Sequence, residues 1–136
     1  MAIPRGIRNN NPGNLRRSAD RWAGLAEVQG DAQFFQFSEP AFGLRALART
    51  LFNYQAKHDL HTIRAIIARW APASENDTGG YVAAVCADMA ASADEPIDLG
   101  DAEELAALVK AIVRHENGEQ PYSDALVEQA AKRALA

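Results

Sequence analysis

The chain has 136 residues, 48% of them apolar, and a formal net charge of −4. That length and composition support one domain with its own hydrophobic core and exclude a disordered chain or one that depends on covalent staples. The lone cysteine, Cys86, rules out an intramolecular disulfide, and no apolar run approaches the ~18 residues of a membrane span.

The N-terminal segment Met-Ala-Ile-Pro-Arg-Gly-Ile-Arg lacks an apolar h-region and a cleavage site, which predicts synthesis in a cytoplasm without a signal peptide. Arg5, Arg8, Arg16, Arg17 and Arg21 oppose only Asp20 in the first 21 residues. Such a basic segment suits phosphate, the muramyl-peptide carboxylates of a cell wall, or no partner at all. Residues 9–14, Asn-Asn-Asn-Pro-Gly-Asn, form a dense turn signal: Asn tolerates left-handed dihedrals, Pro fixes φ, and Gly permits positive φ. Phe34, Phe35 and Phe37 suggest a short strand, paired with Ala26–Gln29 across the turn at Gln29-Gly30-Asp31. Ser38 is expected to cap a helix with Leu44, Leu47, Leu51 and Tyr54 along one face. Thr62 caps a shorter helix with Ile63, Ile66, Ile67 and Trp70 inward, stopped by Pro72, and Asp77 or Thr78 caps a third through Tyr81, Val82, Val85 and Met89. Asp101, with Glu104 as its capping-box partner, opens a fourth helix, and Ser123 a fifth through Leu126, Val127 and Ala130. The expected fold is mainly α, one small domain of about five helices with a short β-hairpin.

The fourth helix carries an apolar stripe, Leu105, Leu108, Val109, Ile112 and Val113, and ends in His115-Glu116-Asn117-Gly118. Glu116 follows Ile112 by four residues and Val113 by three, so its carboxyl group should sit where the buried face meets solvent. A carboxyl group held against apolar side chains retains its proton toward neutral pH, as a general acid must. The plainer alternative is a solvated residue in a last turn stopped by Asn117 and Gly118. His115 lies off the stripe and suits the negative helix end; no second His or Cys stands at metal-ligand spacing from it, so no metal is implied. Tyr122 offers either a hydroxyl near the site or an apolar anchor for the last helix. The amides of Asn10, Asn11 and Asn14 either hydrogen-bond a neutral polar ligand such as an acetamido sugar or simply make a turn. Glu75 and Asp77 are the available second carboxylates, or a helix cap with solvated neighbours.

Residues 5–16, Arg-Gly-Ile-Arg-Asn-Asn-Asn-Pro-Gly-Asn-Leu-Arg, with Trp22, Phe34 to Phe37, Pro40, the Gly43-Leu-Arg-Ala46, Trp70-Ala-Pro72 and Glu75-Asn-Asp77 segments and His115-Glu-Asn-Gly118, resemble small bacteriophage and prophage proteins usually described as virion structural proteins. A second resemblance, to the lysozyme superfamily of lytic transglycosylases and bacterial glucosaminidases, holds when the chain is read in rotated order. The segment from Ala111 to Gly118 is similar to the helix that ends in a catalytic Glu, with Asn117 where that family has Ser. The Asn10–Leu15 loop, the Phe34–Phe37 segment and the helix after Ser38 are similar to the elements that succeed this helix in the glucosaminidases. Asn76-Asp-Thr-Gly-Gly-Tyr81-Val82 is similar to a Glu-Thr-x-x-Tyr-Val segment, with Asp77 replacing Glu.

The resemblance implies a circularly permuted lysozyme-like domain that cleaves the MurNAc–GlcNAc backbone of peptidoglycan. Glu116 would be the general acid, Glu75 or Asp77 the second carboxylate, and Asn10, Asn11, Asn14, Tyr81 and Tyr122 the substrate-binding residues. It implies no cofactor. The partners it implies are glycan strands, and other virion proteins where the protein rides in a particle or is delivered to the periplasm. A non-catalytic virion or wall-binding protein on the same fold is the alternative. Nucleic-acid binding is disfavoured, because the chain is acidic and no recognition motif accompanies the arginines.

Overall fold

A computed structural model describes residues 2–136. Among them are six helices: α1 (Arg5–Arg8), α2 (Pro40–His58), α3 (Ile63–Trp70), α4 (Thr78–Met89), α5 (Ala102–Asn117) and α6 (Asp124–Leu135). None is long and apolar enough to cross a membrane. Four starts obey local chemistry closely. Thr62 accepts a hydrogen bond from the Ala65 amide, Asp77 from Gly80, Asp101 from Glu103 and Glu104, and Ser123 from Leu126. Each side chain thereby satisfies backbone donors that a helix start leaves free.

Two expected caps are built differently. Glu39, not Ser38, occupies the N-cap of α2, without a side-chain bond, and Pro40 opens the helix. The Ser38 hydroxyl instead donates to the Gly24 carbonyl at 3.1 Å, tying the preceding loop down. Glu104 does not close a capping box on Asp101; its carboxylate accepts from the Asp98 amide at 3.4 Å.

Helices α2 and α5 form the centre. Both pack on α6 and on each other, α3 and α4 complete the far side, and α1 touches α5. Leu44, Leu47 and Leu51 of α2 meet Leu105, Leu108 and Ile112 of α5 and Ile63, Ile66 and Ile67 of α3, all fully buried. Each such side chain contributes about 1.5–3 kcal/mol on burial, so the apolar stripes identified in the sequence become one continuous core.

The expected hairpin is absent: no strand forms among the described residues, and Arg16–Phe34 and Leu25–Phe37 are isolated antiparallel bridges. The physical reason is a side chain standing in for a strand. Gln29 accepts from the Gln36 amide at 2.8 Å and donates to its carbonyl at 2.7 Å, so a side-chain amide fills the ladder beyond the one backbone bond that Ala26 makes to that carbonyl. Phe35 and Phe37 bury beneath this segment with Ala46, flanked by Leu15, Trp22, Leu25 and Phe42.

The Asn-rich turn is held on α2. Asn10 and Asn14 adopt left-handed φ of 52° and 51°, as their residue type allows. Gly13 is needed for proximity rather than for φ, since a methyl group there would lie 2.9 Å from Leu47. Gly43 lets α2 approach the turn, because a methyl at that position would overlap the Asn10 carbonyl.

Candidate functional site

The turn and the end of α5 meet. Glu116 is half-buried and lines a cleft of about 310 Å³ together with Gly13, Asn14, Leu15 and Arg16 of the turn, Phe34, the α2 residues Thr50 and Tyr54, and Trp70, Ala71, Glu75 and Asn76 at the end of α3. Its two oxygens are separately engaged. Asn14 Nδ2 donates to Oε1 at 3.0 Å and the Tyr81 hydroxyl donates to Oε2 at 2.8 Å. Helical periodicity places Glu116 at the margin of the core, but says nothing of the two donors that other elements bring to it.

Tyr81 is fixed as a donor. Its ring is buried on α4, and its oxygen already accepts from Trp70 Nε1 at 3.0 Å, which leaves its proton for Glu116. Burial above all, and then the charge and hydrogen bond of Glu116, push its proton affinity well above that of an ordinary phenol. The chain Trp70–Tyr81–Glu116–Asn14 thus joins α3, α4, α5 and the N-terminal turn through three hydrogen bonds. Exposed His115 stacks against Tyr81, with ring centroids 3.8 Å apart, and covers the outer side of this chain.

Asn117 supplies a second link. Its amide donates to the Pro12 carbonyl at 2.8 Å and to Val113 at 2.9 Å. Beneath both links lies Gly6 of α1, where a methyl group would come within 2.5 Å of Asn117 Oδ1 and 2.9 Å of Asn14 Oδ1. Both carbonyl oxygens are buried without a hydrogen-bond donor, so the absence of a side chain at residue 6 is what admits them.

Of the residues singled out from sequence, Glu116, Asn14 and Glu75 line the cleft, and Tyr81 reaches it through its hydroxyl. Glu75 is exposed and lies 3.9 Å from Arg16. Asp77 stands outside the cleft, capping α4. Asn11 is completely buried, bonded to Leu15 and Phe35, and Asn10 donates to the Phe37 carbonyl, so these two amides shape the turn from behind. Tyr122 is half-buried away from the cleft; burial, with Glu119 nearby, pushes its hydroxyl up to about 12. Arg5 is committed to Asp31, whereas Arg16 faces the cleft.

The sequence pattern places Trp70 and Tyr54 in the core, offers Asn76 only as a member of the polar segment before α4, and gives Thr50 no role. The signal for the first two was available: a Trp and a Tyr that end or edge an apolar stripe carry polar tips needing partners. Among the described residues, no group of three or more His, Cys, Asp or Glu side chains converges as a metal site.

Chemically, this is a carboxylate on the wall of an open polar cleft, oriented by two fixed donors, with aromatic rings beside it. Each oxygen keeps a second lone pair, so Glu116 can carry a proton toward the cleft without giving up either bond. The fold and cleft define a small, mainly α-helical domain with a polar cleft between its N-terminal turn and its fifth helix. No protein-family model matches the chain. It is 38% identical over 122 residues to Protein P5 of Pseudoalteromonas phage PM2, a match spanning 88% of this chain and 74% of that protein, and it belongs to the Protein P5 family.

Proposed function

We propose that this protein is a peptidoglycan-cleaving glycosidase of phage origin, in which Glu116 protonates the glycosidic oxygen between N-acetylmuramic acid and N-acetylglucosamine. The observation that carries this reading is the direct hydrogen bond between Asn14 and Glu116 in the wall of a cleft, although 102 residues separate them. That juxtaposition is what a lysozyme-like site read in rotated order requires. Asn14 and Tyr81 orient the acid, while Trp70 offers an aromatic surface for a sugar ring; Arg5 and Arg16 lie over the Phe34 ring and Arg69 over that of Tyr54. One carboxyl group suffices where the substrate's acetamido group or 6-hydroxyl is the nucleophile. Otherwise Glu75 is the cleft's second carboxylate, and its separation from Glu116 in the bound state sets the stereochemical outcome.

A non-catalytic, wall-binding virion protein is the second reading. One observation favours it: both oxygens of Glu116 already accept hydrogen bonds that tie four segments together. Zymography on purified peptidoglycan, with mass spectrometry of the fragments, separates the two. Glu116→Gln keeps shape but removes the proton donor, and turnover should fall ~10²–10⁴-fold with binding retained. Clearing at the wild-type rate by this variant excludes Glu116 as the acid, and binding without cleavage by the wild type selects the second reading.

A further inference from the structure

Helix α2 is lopsided in charge. Its 19 residues include Arg45, Arg49, Lys57 and His58 and no carboxylate, in a chain whose net charge is −4. Arg45, Arg49, Asn53 and Lys57 follow one another at four-residue intervals, about 6 Å of helix rise each, so they form a row that winds slowly round the helix. Two hollows open along this row. One, of about 380 Å³, is lined by Asn53, Lys57 and His58, and the other, of about 410 Å³, by Arg45 and Arg49; Arg21 and Trp22 line both and join them into one trough. Among the described residues, Arg21, Arg45, Arg49 and Lys57 form no ion pair, although Asp20 and the carboxylate-bearing Ala136 also line the trough. Arg49 gives one N–H to the Ala134 carbonyl at 2.8 Å and lies over the Phe52 ring, which fixes its guanidinium while leaving further donors. Trp22 is half-buried on the cluster of Phe35 and Phe37, and its uncovered part faces the trough.

We propose that this trough binds single-stranded nucleic acid, with phosphates along the α2 row and at Arg21 and a base stacked on Trp22. Cations repeated along a groove beside a fixed aromatic ring are what holds a strand without reading its sequence: the charges track the backbone, and the ring accepts any base. Of the N-terminal arginines only Arg21 takes part, so the row on α2 supplies what that segment lacks by itself. A flat anionic bilayer fits less well. Trp22 is recessed between two hollows, and the exposed large apolar side chains, Ile3 and Val28, line neither of them. This binding is independent of any glycan turnover at Glu116.

The test is fluorescence anisotropy of a labelled oligothymidylate of about 15 nucleotides with the full chain, at salt concentrations from about 50 to 300 mM. Counterion release at four phosphate contacts, about 0.7 each, gives a log–log salt slope of about −2.8. Arg21→Ser with Lys57→Ser, both at exposed positions, should reduce that slope by about 1.4 and weaken binding roughly 25-fold at about 0.1 M salt. Arg8→Ser with Arg114→Ser removes as much charge from α1 and α5 and should change affinity less than about threefold. The bound strand should quench the tryptophan emission of the wild type but not that of Trp22→Phe, whose remaining indole, Trp70, lies in the Glu116 cleft. Inorganic polyphosphate, which carries charge without bases, should bind at least about tenfold more weakly than oligothymidylate, and this comparison decides if Trp22→Phe does not fold. The proposal is overturned by equal binding of polyphosphate, by equal losses in the two double variants, by tighter binding to phosphatidylglycerol vesicles, or by no binding of the strand at the lowest salt.

Discussion

Replacing Tyr81 with Phe removes one oxygen and leaves the buried ring. That oxygen donates to Glu116 at 2.8 Å and accepts from Trp70 at 3.0 Å. A hydrogen bond to a charged group is worth about 1.5–3 kcal/mol net, and loss of the indole partner adds a smaller amount because Trp70 is only half-buried and water can replace it. The expected destabilisation is about 2–3 kcal/mol at pH 7, read by urea unfolding at unchanged m-value. The pH dependence gives a sharper check. Burial, with Glu116 next in importance, raises the Tyr81 proton affinity in the folded state. Its contribution is therefore fully present below the phenol's unfolded value of about 10 and drains away as pH rises beyond it. The gap between wild type and Tyr81→Phe should stay constant from neutrality to about pH 9 and narrow above about pH 10. Tyr54 and Tyr122, also raised by burial, titrate in both proteins and cancel in the difference. A gap below about 0.5 kcal/mol at pH 7, or one that does not narrow in alkali, would refute the role assigned to this hydroxyl.

Gly6→Ala should destabilise by about 2–4 kcal/mol through overpacking and lost hydrogen bonds at Asn14 and Asn117. Helix propensity predicts the opposite sign, so a more stable variant in denaturant titration would show that the methyl group is accommodated. Asp31 is held well below the usual carboxylate range, first by Arg5 and then by the Gln33 amide. Its stabilising share is present above the ordinary Asp value and lost as pH falls below it, so Asp31→Asn should flatten the acid limb of the stability profile; an unchanged limb counts against this linkage. Asp101→Ala, which removes the cap of α5, should cost about 0.5–2 kcal/mol in thermal or chemical unfolding, and a loss under about 0.3 kcal/mol would mean that water replaces the cap.

The helices were legible where one residue decides a local outcome. Thr62, Asp77, Asp101 and Ser123 all cap as their side chains dictate, and the stripes of α2, α3 and α5 face the core. Helix α1 was not legible, because four residues make one turn and show no periodicity. The hairpin was misread because alternating aromatics mark buried positions in an irregular segment as readily as in a strand, and Gln29 supplies the pairing. At the candidate site, the stripe and the glycine stop placed Glu116 at the core margin. Its partners were beyond local reading: the Asn14 and Tyr81 contacts join residues 102 and 35 positions away, and their geometry exists only once α1, α2 and α4 are packed. The capping role of Asp77 was legible, but which of Asp77 and Glu75 faces the cleft was not, since that depends on how the loop after α3 packs against the N-terminal turn.

The 102-residue span between Asn14 and Glu116 also sets a clock. A ribosome adding about 5–20 residues per second delivers Glu116 roughly 5–20 s after Asn14. During that interval the nascent chain carries the turn and α2 with no acid to face them. Whatever the cleft does is withheld until α5 has been made and docked, so synthesis that stalls upstream of this helix yields an inert product.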